Sequence, residues 1–323
     1  MTSSTYKLEF LMPCLCAGAD PKTAELRPSA VRGQLRWWFR ALGGSFDEES
    51  RVFGRIGKQE ETLGSAVVVR TRILGKPPVW NPPVFKPIDP EAYVWHFARA
   101  SGRTDDDKAN NLPGPRWQPE GAFAPGTKWE LRIVVRRPLD AALQAKFDEA
   151  LTCFLSLGAL GLRATRGLGT FHCADRPFDE RELRPVLEKA GFALESKGFV
   201  TGQKDDKTGE SGKGAAWAKA AALIGSLVKG TRKTKGWKND SQTGKETPSP
   251  LGTSGLQKPT PRQTSAIWFR PVRDSGREDG LRLWVFEAPH ARVLGEVSRK
   301  DVSVGKTPSQ IVPPPSSPQR KWN

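Results

Sequence analysis

An α+β fold made of two ferredoxin-like (RRM-like, βαββαβ) units, the second eroded, is what this 323-residue sequence predicts. Two observations carry the prediction. Over residues 1–176, segments of period-two apolar alternation and segments of helical period follow one another as strand, helix, strand, strand, helix, strand. A weaker set of helices and strands occupies residues 177–302. The length suits two domains of ordinary size.

The elements justify themselves in order. Residues 6–16 (YKLEFLMPCLC) alternate well enough for a first strand. Residues 28–42 read as a helix, because Pro28 fits a first helical turn and the pair Gly43 and Gly44 ends it. Residues 65–74 (SAVVVRTRIL) and 127–137 (TKWELRIVVRR) are β-branched and alternating, as strands are. Residues 140–160 form a long amphipathic helix, followed by a glycine-rich turn and a short strand at 169–173 (GTFHC). Between the second and third strands lies an inserted arm, residues 76–126, rich in proline and holding Trp80, Trp95 and Trp117.

In the second half, residues 179–190 and 214–229 (GAAWAKAAALIGSLVK) read as helices. Residues 265–273 (SAIWFRPVR) and 281–287 (LRLWVFE) read as a hairpin. The stretch 230–263 is polar and rich in Lys, Ser, Thr and Pro, which predicts a mobile loop. From residue 303 the tail is expected to be extended or disordered.

Lys and Arg total 51 against 35 Asp and Glu, a net charge of +16 that favours polyanions, nucleic acid foremost. Cys14, Cys16, Cys153 and Cys173 lack CxxC spacing and histidines at metal-ligand spacing, so they read as buried thiols. Asp105, Asp106 and Asp107 sit in a Gly/Asn/Asp loop that reads as a solvated turn rather than a magnesium centre. No metal and no cofactor is expected. The N-terminus has no basic, apolar leader pattern and no segment nears the ~20 apolar residues of a membrane span. The expectation is a cytoplasmic protein without a membrane partner.

Residues 26–44 read LRPSAVRGQLRWWFRALGG. At about 100° per residue, Val31, Leu35, Trp38, Phe39 and Leu42 share one arc, the face to be buried. Arg32, Arg36 and Arg40 form a stripe beside it, and Trp37 falls on the opposite side. The helix carries no Asp or Glu, so no i,i+4 partner neutralises the stripe. Phosphates would offset it, since the guanidinium fork makes paired hydrogen bonds to phosphate and stacks on bases. Acids elsewhere in the fold, or on a partner subunit, would also do so.

A second constellation is GALGLRATRGLGTF at residues 158–171, where Gly161, Gly167 and Gly169 bracket Arg163 and Arg166. Glycines allow close approach of the backbone to a ligand and can aim N–H groups at an anion. The segment runs helix-then-strand, which excludes the dinucleotide fingerprint. GESGKG at 209–214 lacks the spacing and the Ser or Thr of a P-loop.

Together, the run from Leu26 to Gly44, the Val52, Phe53, Gly54 element and the later glycine-rich segment resemble the RAMP superfamily of CRISPR systems. Within it, the resemblance is to subunit one of the type III-B (Cmr) RNA-guided effector complexes. It covers the first half clearly and in the second half only the SAIWFRPV strand and the helix before it. It implies two ferredoxin-like domains and a non-catalytic role in antiviral defence. That role is to help hold the guide RNA (crRNA) end distal to its repeat-derived tag and capture complementary target RNA, beside other RAMP subunits. Carried onto this chain, it implies RNA contacts by Arg27, Ser29, Arg32, Arg36 and Arg40, with Arg163, Arg166, Gly167 and Gly169 on the loop. Trp37 joins the set as a ring for base stacking or protein contact. One departure is that Thr165 and Leu168 separate or follow the loop arginines, where the family often has consecutive basic residues.

Two other readings stay open. Some RAMP proteins cut RNA with a histidine as general acid or base. Of His96, His172 and His290, His172 is placed best, beside the basic loop, though none has a partner at a catalytic spacing. Alternatively, the arginines meet acidic protein partners in an assembly subunit.

Overall fold

The computed structural model describes residues 2–20, 23–57, 62–80, 93–94, 121–201, 215–234, 239–240, 245–246, 251, 265–274 and 277–289. Trp95, His96, the 105–107 acids, Trp117, the 209–214 segment, His290 and the tail from 303 lie outside them.

The first sheet is built by alternation. In β5 (Lys128–Val135), Trp129, Leu131 and Ile133 are buried while Lys128 and Arg132 are exposed. β1 (Thr2–Phe10) buries Leu8 and Phe10, and β3 (Val67–Ile73) buries Val67 and Val69. With β6 (Phe171–Cys173) they form an antiparallel sheet in the order β3-β5-β1-β6. A small separate pairing joins β2 (Cys14–Leu15) to β4 (Ala122–Phe123).

One face of this sheet is covered by α1 (Pro28–Ala41) and α3 (Ala141–Leu157), which also pack on each other. Pro28 opens α1, which buries Val31, Leu35, Trp38, Phe39 and Ala41, nearly the arc expected. Asp140 caps α3, its carboxylate accepting from the Leu143 N–H at 2.9 Å. A further helix, α2 (Phe46–Phe53), was not expected. It is short, but a reciprocal capping box between Ser45 and Glu48 closes its N-terminus.

The second half contributes α4 (Glu180–Lys189), β7 (Ala193–Thr201), α5 (Ala216–Thr234), the two-residue strands β8 (Asn239–Asp240) and β9 (Lys245–Glu246), and the hairpin β10 (Ile267–Asp274) and β11 (Arg277–Glu287). Its main sheet is antiparallel in the order β10-β11-β7. Two expectations change here. β7 was not anticipated, because ALESKGFVT has no clean alternation and is set by its pairing with β11. The first residues of the stretch expected to be a loop are helical, because Ile224, Val228 and Thr231 continue one buried helical face and carry α5 to Thr234, and most of 235–263 lies outside the described residues.

The core does not stop between the halves. One apolar cluster contains Trp38, Phe39 and Phe147 of the first half with Leu183, Phe192, Trp268, Trp284 and Phe286 of the second.

Candidate nucleic-acid interface

The arginine stripe of α1 faces α2. Glu49, only 1% exposed, accepts from Arg40 Nη1 at 2.8 Å and from Arg36 Nε. Arg32 Nη2 donates to the Phe53 carbonyl at the end of α2. The like charges are therefore offset within the chain, by an acid of the following helix. Of the counter-charges the sequence left open, phosphate or an acid elsewhere in the fold or on a partner, Glu49 on the next element is one that the chain itself supplies. One carboxylate between two guanidiniums, with the third on a neutral carbonyl, still leaves local positive charge. The side chains of Arg36 and Arg40 remain 33% and 45% exposed, and Arg27 and Ser29 are exposed at the helix start.

Trp37 does not stand in solvent. It is half-buried, stacked on Trp268 with ring centroids 4.1 Å apart and set edge-on to Trp38 and Phe192. The helical wheel set it away from the buried arc, toward solvent, but Phe192 and Trp268 of the second half cover it there.

The glycine-rich loop also turns inward. Arg166, 3% exposed, donates to Ser265 Oγ at 3.0 Å, to the Ile267 carbonyl at 3.3 Å and to the Leu251 carbonyl at 2.6 Å. Arg163, in the left-handed region at φ 60°, donates to the carbonyls of Tyr93 and Val94 at 2.8 and 3.0 Å. Burial, with Arg166 nearby, lowers its pKa to about 10, which leaves it charged at neutral pH. Burial alone would raise the Tyr93 phenol, but Arg166, Arg232 and Arg163 outweigh it and bring its pKa to about 8. Gly169 is required for the loop's own closure: at φ 66° a Cβ would lie 1.8 Å from the Leu160 carbonyl oxygen, and its N–H already donates to the Pro13 carbonyl at 2.8 Å. Gly167, at φ 84°, is packed against Ile224 and Pro271. These residues meet the protein itself where the sequence suggested a ligand. Among the described residues, no hydrogen bond or ion pair joins the loop set to the α1 set.

His172 sits on β6 across from Glu9, half-buried, and Glu9 accepts from Arg273 Nη2 at 2.7 Å. Burial, then the Arg273 charge, lowers the His172 pKa below its ordinary value. Its imidazole is therefore neutral at pH 7. Among the described residues, no group of three or more His, Cys, Asp or Glu is placed to hold a metal ion, and no helix is long and apolar enough to cross a membrane. The sequence reading missed the outer face of the first sheet, where Arg70, Arg72, Lys128 and Arg132 are exposed. The signal was present in the alternation of VVVRTRI and KWELRIVV.

The chain is 27% identical over 180 residues to the CRISPR system Cmr subunit Cmr1-1 of Pyrococcus furiosus, covering 53% of this chain and 45% of that protein. It is 33% identical over 63 residues to Cmr1-2 of the same organism, covering 17% of this chain and 34% of that one. The chain thus spans less than half the length of either relative. In fold, it resembles the crystal structure of Cmr1 from Pyrococcus furiosus (apo form), with a TM-score of 0.52 at 17% identity over 90% of this chain and 88% of that one. The profile of the RAMP superfamily matches residues 7–172, just over half of the sequence and all four strands of the first sheet in whole or part. The family expected from the α1 motif is the family found: this chain belongs to the RAMP superfamily.

Proposed function

We propose that this chain is a non-catalytic RNA-binding subunit of a type III-B CRISPR ribonucleoprotein effector, working in the cytoplasm in antiviral defence. The observation that carries the reading is RAMP membership over residues 7–172 together with the identity to a Cmr subunit. Its partners in this reading are guide RNA, complementary target RNA and other RAMP subunits. Its place is the guide end distal to the repeat-derived tag. Two ferredoxin-like units, divided near residue 176, form the scaffold. The order β3-β5-β1-β6, with both helices on one face, supports that description of the first unit.

The predicted contact set divides by exposure. Arg27, Ser29, Arg36 and Arg40 keep donors toward solvent and serve as RNA contacts. Arg32, Trp37, Arg163, Arg166, Gly167 and Gly169 hold the surfaces around them in shape.

The test is binding of labelled guide-length RNA by the full chain, alone and mixed with partner RAMP subunits, followed on denaturing gels. Salt-sensitive binding of intact RNA is the expected result. RNA cleavage that disappears in His172→Ala would make the protein a ribonuclease. Assembly with partner subunits without any RNA affinity, alone or assembled, would make it an assembly protein.

A further inference from the structure

Among the described residues, no helix packs on the face of the first sheet opposite α1 and α3, and strand register places its outward side chains. Arg70 stands across from Arg132, and Arg132 across from Thr5. One step along, Arg72 faces Glu130 and Glu130 faces Lys7; the next row sets Lys128 beside Glu9 and Glu9 beside His172. Adjacent strands lie about 4.8 Å apart and alternate residues about 6.8 Å apart along a strand, so the rows from Arg132 to Lys128 cover about 14 Å.

Charge on this face is unbalanced. Lys7, Arg70, Arg72, Lys128 and Arg132 are all exposed. Of the two carboxylates in these rows, Glu9 is held by Arg273 at 2.7 Å, and Glu130 is 3.2 Å from Arg72. Arg132 donates from Nε to the uncharged Ser3 hydroxyl at 2.9 Å, and Arg70 makes no ion pair among the described residues. Like charges directly across two strands disfavour pairing, so Arg70 and Arg132 are a costly choice unless an anion sits over them.

The face also carries no Phe, Tyr or Trp at its outward positions, because Tyr6, Phe10, Trp129 and Phe171 all point to the helix side. It offers donors to phosphate without rings for stacking. On the other, helix-facing side of β3, the Thr71 hydroxyl donates to the Leu26 carbonyl at 2.8 Å and ties down the start of α1.

We infer that this face docks the sugar-phosphate backbone of single-stranded RNA, with Arg70 and Arg132 as the central pair and Arg72 and Lys128 beside them. The inference rests on the RNA-binding reading above and puts the principal contact on the sheet face away from α1. Contacts of this kind position RNA and do not read its sequence, which suits a subunit whose recognition is delegated to base pairing.

The experiment uses the full chain, wild type and Arg70→Ala/Arg132→Ala, with fluorescein-labelled 30-nucleotide RNA of mixed sequence and of uridine alone, across a salt series. Both RNAs should bind the double variant on the order of tenfold more weakly at low salt, with the slope of log affinity against log salt shallower by about 1.4, about 0.7 per lost phosphate contact. Arg70→Lys/Arg132→Lys should restore the slope, and the Ala variant should melt no lower than wild type, since it removes a like-charge pair. Wild-type binding matched by the Ala variant, in affinity and slope, overturns the sheet inference and leaves RNA binding standing. Unchanged RNA binding with lost assembly onto partner subunits overturns it too and makes the face a protein interface. Absence of wild-type RNA binding, alone and in the assembled complex, overturns both readings.

Discussion

Arg270 on β10 and Arg132 on β5 are both strand arginines in antiparallel sheets, and their surroundings differ in every respect. Arg270 has no exposed surface. It stacks over Trp268 at 4.5 Å and donates to the carbonyls of Leu157 at 2.6 Å, Phe269 at 2.8 Å and Ala164. Burial lowers its pKa to about 9, so it stays charged at neutral pH without a carboxylate among its hydrogen-bond partners in the described residues. Arg132 stands in water beside another arginine. The net charge of +16 counts the two alike. What separates them is whether backbone carbonyls or solvent meet the guanidinium, and only outward charge is available to a polyanion.

The contrast is sharpest under mutation. Arg270→Met keeps an apolar stem but strips three carbonyls of their donor, and should cost on the order of 3–5 kcal/mol, read from urea unfolding. A loss below about 1 kcal/mol, ordinary for surface changes, would erase the distinction. Glu49→Gln tests the intermediate case, where one buried carboxylate serves two partly exposed arginines. Solvent screening of Arg36 and Arg40 limits the expected loss to roughly 1–2 kcal/mol, and RNA affinity should rise as their charge is released. A fall in affinity would mean that the α2 contact shapes the binding surface rather than competing with it.

The smallest expected effect belongs to His172. Its depressed pKa favours the neutral form in the fold, so below about pH 6.5 the unfolded chain takes up a proton first. Stability contributed by the neutral ring is present above that pH and lost as pH falls through the lower folded value. His172→Gln should flatten the dependence of the thermal midpoint on pH between about 5 and 7. An unchanged profile would assign the acid sensitivity to other groups.

The first sheet was legible because its strands bury one face: alternation in VVVRTRI and KWELRIVV marks both the core and the outward arginines. The bounds of α1 were legible from Pro28 and from Gly43, whose φ is 98°. β7 was not, because its partner β11 lies about eighty to ninety residues further along the chain and long-range pairing decides it. The inward hydrogen bonds of the glycine-rich loop were hidden for a related reason. Glycine and arginine in a turn suit an anion or the protein's own carbonyls equally well, and Leu160, Leu251 and Ile267 supply those carbonyls from distant positions. Family resemblance was carried by the α1 motif, although its arginines are largely engaged by α2.

The Trp37–Trp268 stack links the two halves of the chain, and it does so with two chromophores. Indoles held 4.1 Å apart and 29° from parallel share their excitation, which gives a paired circular-dichroism signal that separated indoles lack. The junction between the halves therefore carries its own optical label, and their docking can be followed in the native protein by light alone.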